Sequence, residues 1–188
     1  MDLRSWISSD LASLRGRLDN GVFSVVPSER LAERVDEGGI AAIYVAWHTA
    51  RHHDVAVNGV LRQTGEVLDD WASRVGITGD TWRGLAENED HELVAQLDPE
   101  AVGGYLLAVI DHTLGWIDGF DPSILDSAPD TSAALDRLGT PADRFDWLYS
   151  MWADKPAFFF LSWEAIGHGY NHLGELISIR NRMGLSPF

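Results

Sequence analysis

The sequence holds seven histidines and no cysteine. Two of the histidines, His168 and His172, stand four residues apart. On a helix that spacing puts both imidazoles on one face, about one turn apart, where they can grip one cation. The pair alone fits two core histidines met by hydrogen bonds better than it fits a metal site. His48 changes the weighing. It lies midway along a second apolar helical stripe, so two helices offer three imidazoles at similar depth. Burying three unpaired imidazoles costs several polar desolvations, which a cation offsets. Three neutral histidines and an open position are a usual ligand set for a catalytic zinc-type ion. Such an ion keeps its full charge and acidifies a thiol or water that reaches it. His48, His168 and His172 are therefore the candidate metal ligands, and any catalysis runs through the ion they hold.

The residues around them suggest further roles. His52 shares the stripe of His48, one turn on. It is a fourth ligand, a general base or a core histidine. His53 falls off that stripe and is expected in solvent. His112 lies on the flank of a third helix, where it can reach a pocket mouth. His91 sits among Glu87, Glu89, Asp90 and Glu92 and reads as surface. Glu175, three residues after His172, and Glu164, four before His168, can each accept a ring N–H and orient an imidazole. Glu175 fits a solvated helix face equally well. Gly169 and Gly174 each cost about 1 kcal/mol relative to Ala inside a helix. They imply close helix approach or room around an ion. Trp47, Trp116, Phe158, Phe159, Phe160 and Trp163 read as core rather than a substrate cage.

Four long segments carry the helical period needed to position these groups. The first spans residues 3–18, with Leu3, Ile7, Leu11, Leu14 and Leu18 at steps of three and four. The second spans 39–62 and carries Ala41, Val45, His48, His52, Val55 and Gly59 on one side. Arg51, His53 and Asp54 fall outside that stripe. The third starts at Asp98-Pro99, an N-cap followed by proline at the first helical position. Its stripe is Val102, Leu106, Val109, Thr113, Trp116 and Phe120. The last spans 156–184, with Phe158, Leu161, Ala165, His168, His172, Leu176, Ile179 and Met183 inward. Residues 121–154 read as a long connection with short helices, broken by Pro122, Pro129 and Pro141. Nothing reads as a strand. The expected fold is all-α, one domain over residues 1–188, a four-helix bundle with long connections.

Composition removes several classes of function. The 188 residues carry 14 basic and 29 acidic side chains, a formal charge of −15. A surface that tracks phosphates needs clustered Lys and Arg, so nucleic acid is not an expected partner. The same acidity argues against an anionic membrane surface. No apolar run approaches the roughly 20 residues that cross a bilayer. Residues 1–10 carry acids and serines where a secretory signal has an apolar core. A cytoplasmic location is expected. Without cysteine there is no disulfide framework, thiolate metal site or cysteine nucleophile.

Two stretches resemble the DinB-like family. Ala46-Trp47-His48-Thr49-Ala50-Arg51, followed by Asp54, is similar to its second helix. His168-Gly169-Tyr170-Asn171-His172-Leu173-Gly174-Glu175-Leu176 is similar to its last helix, which reads H-x-x-x-H-x-G-E. Gly39, Ile40 and the Trp-His pair look most like the actinobacterial branch related to mycothiol-dependent enzymes such as maleylpyruvate isomerase. The resemblance implies a bundle of up-down-down-up connectivity and a divalent ion, zinc or nickel, on His48, His168 and His172. It implies S-transfer or isomerisation with a low-molecular-weight thiol, mycothiol or bacillithiol, and an electrophilic substrate. The resemblance is compatible with a homodimer through a helix face, which no stripe in the sequence specifies. Hydrolysis at the same ion, and a non-catalytic metal-binding bundle of stress-related function, remain as alternatives.

Overall fold

The computed structural model describes residues 2–36 and 39–187, and every regular element among them is helical. Helix α1 (Leu3–Leu18) begins where the Asp2 side chain accepts from the Ser5 amide, an N-cap. It buries Ile7, Leu11, Leu14 and Leu18 and runs into a π-helical turn, Asp19–Phe23. Helix α2 (Ala42–His53) continues without a break through wider π-helical turns, Asp54–Leu61. Two short helices follow, α3 (Leu68–Trp71) and α4 (His91–Gln96). Helix α5 (Val102–Ile117) starts behind Asp98, whose side chain accepts from the Glu100 amide. The 121–154 connection folds into a short 3-10 turn, α6 (Thr131–Arg137) and α7 (Asp146–Trp152). The last rod is α8 (Ala157–Phe159), π-helical turns Phe160–Gly167, and α9 (His168–Arg182).

Contacts along the long segments give their directions. Arg15 pairs with Asp111 while Arg4 donates to the Phe120 carbonyl, so α1 and α5 are antiparallel. Arg51 meets Tyr105 and Asn58 meets His112, so α2 and α5 run together. His52 meets Glu164 and His48 lies beside His172, so α2 and the last rod are antiparallel. Leu14 packs on Gly169 and Arg180 donates to the Gly21 carbonyl, so α1 and α9 run together. One large apolar core fills the space between these four. A second cluster (Val55, Val60, Leu135, Leu148, Trp152 and Phe160) ties α6 and α7 onto the two π-helical stretches. No helix among the described residues is long and apolar enough to cross a membrane.

Helix α2 departs from the two-sided reading. Every residue from Ala42 to Val60 is buried. Neighbours cover it on all sides, so the polar residues off the apolar stripe are satisfied internally rather than by water. The Asp54 carboxylate accepts from the Val67 and Leu68 amides at 3.0 and 2.9 Å, from Tyr105 Oη at 2.8 Å and from Asn58 Nδ2 at 2.8 Å. Arg51 lies under it at 3.8 Å and reaches Glu66 at 3.2 Å. A buried charge persists only when paired and hydrogen-bonded in this way. Phe158, expected inward, is 40% exposed. Phe160 takes a buried position instead, beside Leu161, which is buried as expected, because the wider turns change which residues face the core.

The two glycines of α9 have different reasons to exist. A Cβ on Gly169 would lie 2.5 Å from Leu14 Cδ2, whereas one on Gly174 would meet nothing within 4 Å. Close approach of α1 therefore explains Gly169 and not Gly174. Gly174→Ala should stabilise by about 1 kcal/mol through helix propensity alone. Gly169→Ala should destabilise by about 1–2 kcal/mol, since the overpacking outweighs that gain. Urea midpoints of the two variants give the opposite signs directly.

Candidate metal centre

The site sits where α2 crosses the start of α9. His48 and His52 face His168 and His172 with ring centroids 4.4–5.1 Å apart across the four rings that touch. The three histidines read from the sequence do converge. Ligating atoms of His48, Glu87, His168 and His172 lie within 4.8 Å of one another.

Each ring's protons follow from its partners. His48 Nδ1 lies 2.9 Å from the Gly84 carbonyl, which can only accept. Nδ1 therefore carries the hydrogen, and Nε2 presents its lone pair to the cluster. That Nε2 is buried and has no hydrogen-bond partner. His172 Nδ1 lies 3.0 Å from Glu175 Oε2, so it donates there and leaves Nε2 as an acceptor. His172 Nε2 is 3.0 Å from His168 Nε2. His168 Nδ1, like His48 Nε2, is buried and unpartnered. Burial, followed by the neighbouring imidazoles, pushes His48 down to about 3 and His168 down to about 2. Both rings are neutral at physiological pH, the form that ligates a cation. An orphaned buried lone pair facing two further imidazole nitrogens fits a soft-to-borderline divalent ion such as zinc or nickel.

His52 is placed differently. Its Nε2 donates to the Leu85 carbonyl at 2.8 Å, and its Nδ1 lies 3.2 Å from Glu164 Oε2. Both nitrogens are engaged, so it adds no free lone pair to the three-histidine set. Trp152 Nε1 donates to the other Glu164 oxygen at 2.7 Å. Glu164 thus orients His52 rather than His168, while Glu175 orients His172 as expected. His52 Nδ1 and Glu164 Oε2 face each other within the buried floor of the site. With His168 they form a second cluster of potential ligands within 4.8 Å.

The remaining histidines lie outside the site. His53, expected in solvent, is buried and donates from Nε2 to Thr113 Oγ1 at 2.9 Å. Thr113 gives its own hydrogen to the Val109 carbonyl, which leaves its oxygen free to accept. Burial holds His53 down at about 4. His112 is exposed beside Arg62 and Asn58, away from the histidine cluster. His91 is exposed, as expected.

The loop over residues 82–90 was illegible in the sequence, yet it shapes the centre. Its Arg83 and Gly84 carbonyls capture Trp47 Nε1 and His48 Nδ1 on consecutive residues of α2. Gly84 has φ +85°, and a Cβ there would lie 2.4 Å from Trp47 Nε1. Only glycine lets this backbone close on α2. Arg83 is locked to Asp90 and Tyr44 Oη donates to the Ala86 and Asn88 carbonyls. Glu87, at the loop tip, is 3.7 Å from His48 Nε2 with its side chain 79% exposed. Gly84 was the one signal available, a glycine with no turn pattern around it.

Two cavities flank the cluster. A cavity of about 320 Å³ opens over His52, Glu164 and His168, walled by Trp147, Met151, Trp163 and Leu85. A space of about 30 Å³, room for little more than a water, lies between His48, His172 and Glu175 on the other side. Trp163 thus stands at a pocket rather than in the core. Trp47 is core, as expected.

No protein-family model and no curated protein matches the chain. Among solved structures it is similar to a conserved protein from Enterococcus faecalis, at 16% identity and a TM-score of 0.69. That likeness covers 98% of this chain and 99% of the other, so the fold is shared over the whole length.

Proposed function

We propose that the protein is a metal-dependent enzyme of DinB-like four-helix-bundle type that transfers a low-molecular-weight thiol to an electrophile. The observation that carries the metal reading is the buried, unpartnered Nε2 of His48 facing His168 and His172. The thiol reading comes from the resemblance of the His48 and His168–His172 motifs, together with an apolar cavity at the cluster. A divalent ion held there supplies positive charge that lowers the pKa of an incoming thiol. The chain's own part is positional. The Gly84 carbonyl and Glu175 fix the rings of His48 and His172. The hydrogen-bonded pair of His52 and Glu164 forms the floor of the cavity beside His168, and Trp147 and Trp163 form its walls. With no cysteine in the chain, the sulfur must arrive with the cosubstrate.

The test is conjugation of mycothiol or bacillithiol to monochlorobimane by zinc- or nickel-loaded protein. A C–S bond forms, the C–Cl bond breaks, chloride leaves and the thiol proton goes to solvent. Metal-dependent acceleration, lost on chelation and in His48→Ala, is expected. No metal-dependent turnover with either thiol would sink the reading. Glu87 supports a second one. As a fourth ligand it would close the coordination and make the ion structural, with zinc-loaded protein more heat-stable and inert in the assay. The same open ion could instead activate water for hydrolysis.

A further inference from the structure

We infer that the cavity beside the histidine cluster takes an uncharged, flat, apolar molecule and that its own side chains disfavour acids. This names the electrophile class for the proposed S-transfer and rests on that reading only for where the reacting end sits. At about 320 Å³ the cavity lies at the small end of ligand pockets. Its walls are two tryptophans from different elements, Trp147 on α7 and Trp163 on the π-helical turns before α9. They are 36% and 44% exposed, among the few large apolar side chains so open to solvent. Both are held in place. A Cβ on Gly167 would lie 3.0 Å from Trp163 Cε3, so the glycine lets that ring rest on the backbone. Trp147 lies 6.2 Å from the His52 ring with planes 32° apart, and 6.1 Å from Phe145. Two positioned aromatic faces suit a planar guest.

Charge decides the rest. No lysine or arginine lines the cavity; the charged side chains there are Glu87 at the rim and Glu164 on the floor. A carboxylate or phosphate entering would lose its hydration without gaining a cationic side chain. A cationic guest gains little either. Glu164 is already spent on Trp152 and His52, and the histidine cluster below is the proposed cation seat.

The experiment is calorimetric titration with 2-naphthalenemethanol, 2-naphthoate and 2-naphthylmethylammonium, on metal-free and zinc-loaded protein. The alcohol should bind both forms. Naphthoate should bind the metal-free form at least tenfold more weakly, and the ammonium should bind the zinc form at least tenfold more weakly. Trp147→Ala and Trp163→Ala should each cost about tenfold in alcohol affinity with zinc stoichiometry unchanged. Gly167→Ala, which displaces the Trp163 ring and keeps every wall residue, should weaken it in the same direction. Equal binding of naphthoate and alcohol by the metal-free protein would overturn the inference, as would wild-type alcohol affinity in both tryptophan variants. Charge selection without zinc binding would keep this inference and remove the S-transfer reading.

Discussion

His168→Ala should strip the protein of its divalent ion, weakening zinc binding by more than 100-fold in equilibrium dialysis. His168, like His48, contacts every other ring of the cluster: its centroid lies 5.1 Å from His48, 4.7 Å from His52 and 4.4 Å from His172. It belongs to both clusters of potential ligands, so its loss breaks both. His48→Ala should have a comparable effect, since it removes the buried, unpartnered Nε2 that faces His168 and His172. Glu175→Gln keeps all three ligands and loses only the carboxylate that orients His172, so a loss of about 10-fold is expected. His52→Ala should leave zinc affinity within a few-fold of wild type, because both its nitrogens are engaged elsewhere. Far-UV circular dichroism would check that each variant folds. Wild-type affinity in His48→Ala and His168→Ala would mean that the ion sits elsewhere or does not bind.

The ranking of these effects follows the boundary between what the sequence could and could not reveal. The stripe from Ile7 to Leu18 was legible because α1 is covered on one side only, so its burial pattern keeps a clean helical period; Leu3, in the first turn, is 43% exposed and lies outside it. The convergence of His48, His168 and His172 was legible for a related reason: imidazoles embedded in apolar stripes must face inward. Helix α2 hid its polar residues because it is enclosed on all sides. Periodicity sorts residues only when water occupies one face, so His53 and Asp54 could not be placed by it. Tertiary partners at long sequence separation, Thr113 and the amides of residues 67 and 68, decide their fate. Phe158 was misplaced because π-helical turns shift the facing angle, and nothing in the residue types signals them. The 82–90 loop was opaque because its contribution is made by backbone carbonyls, which every residue type possesses.

The metal-free protein should lose stability steeply as the pH falls from about 6.5 to about 4.5. His48, His168 and His53 are held down at about 3, 2 and 4, in each case chiefly by burial. In the unfolded chain each returns to about 6.5. Within the window between, the unfolded chain binds protons that the folded one refuses. Stability therefore rises with pH, is fully present above about 6.5, and drains away as the pH drops. Each group contributes a slope of about 1.4 kcal/mol per pH unit, so three give about 4 kcal/mol per unit. Over the two units the loss is on the order of several kcal/mol, a large part of the stability of an ordinary domain. Carboxylates held low by ion pairs, such as Asp90 beside Arg83, act only below their unfolded value of about 4 and do not account for this window. Urea midpoints at half-unit steps of pH read the slope. His53→Gln should remove about a third of it while leaving zinc binding intact, since His53 lies away from the cluster on Thr113. Stability that stays flat over the window would mean that the folded protein admits these protons.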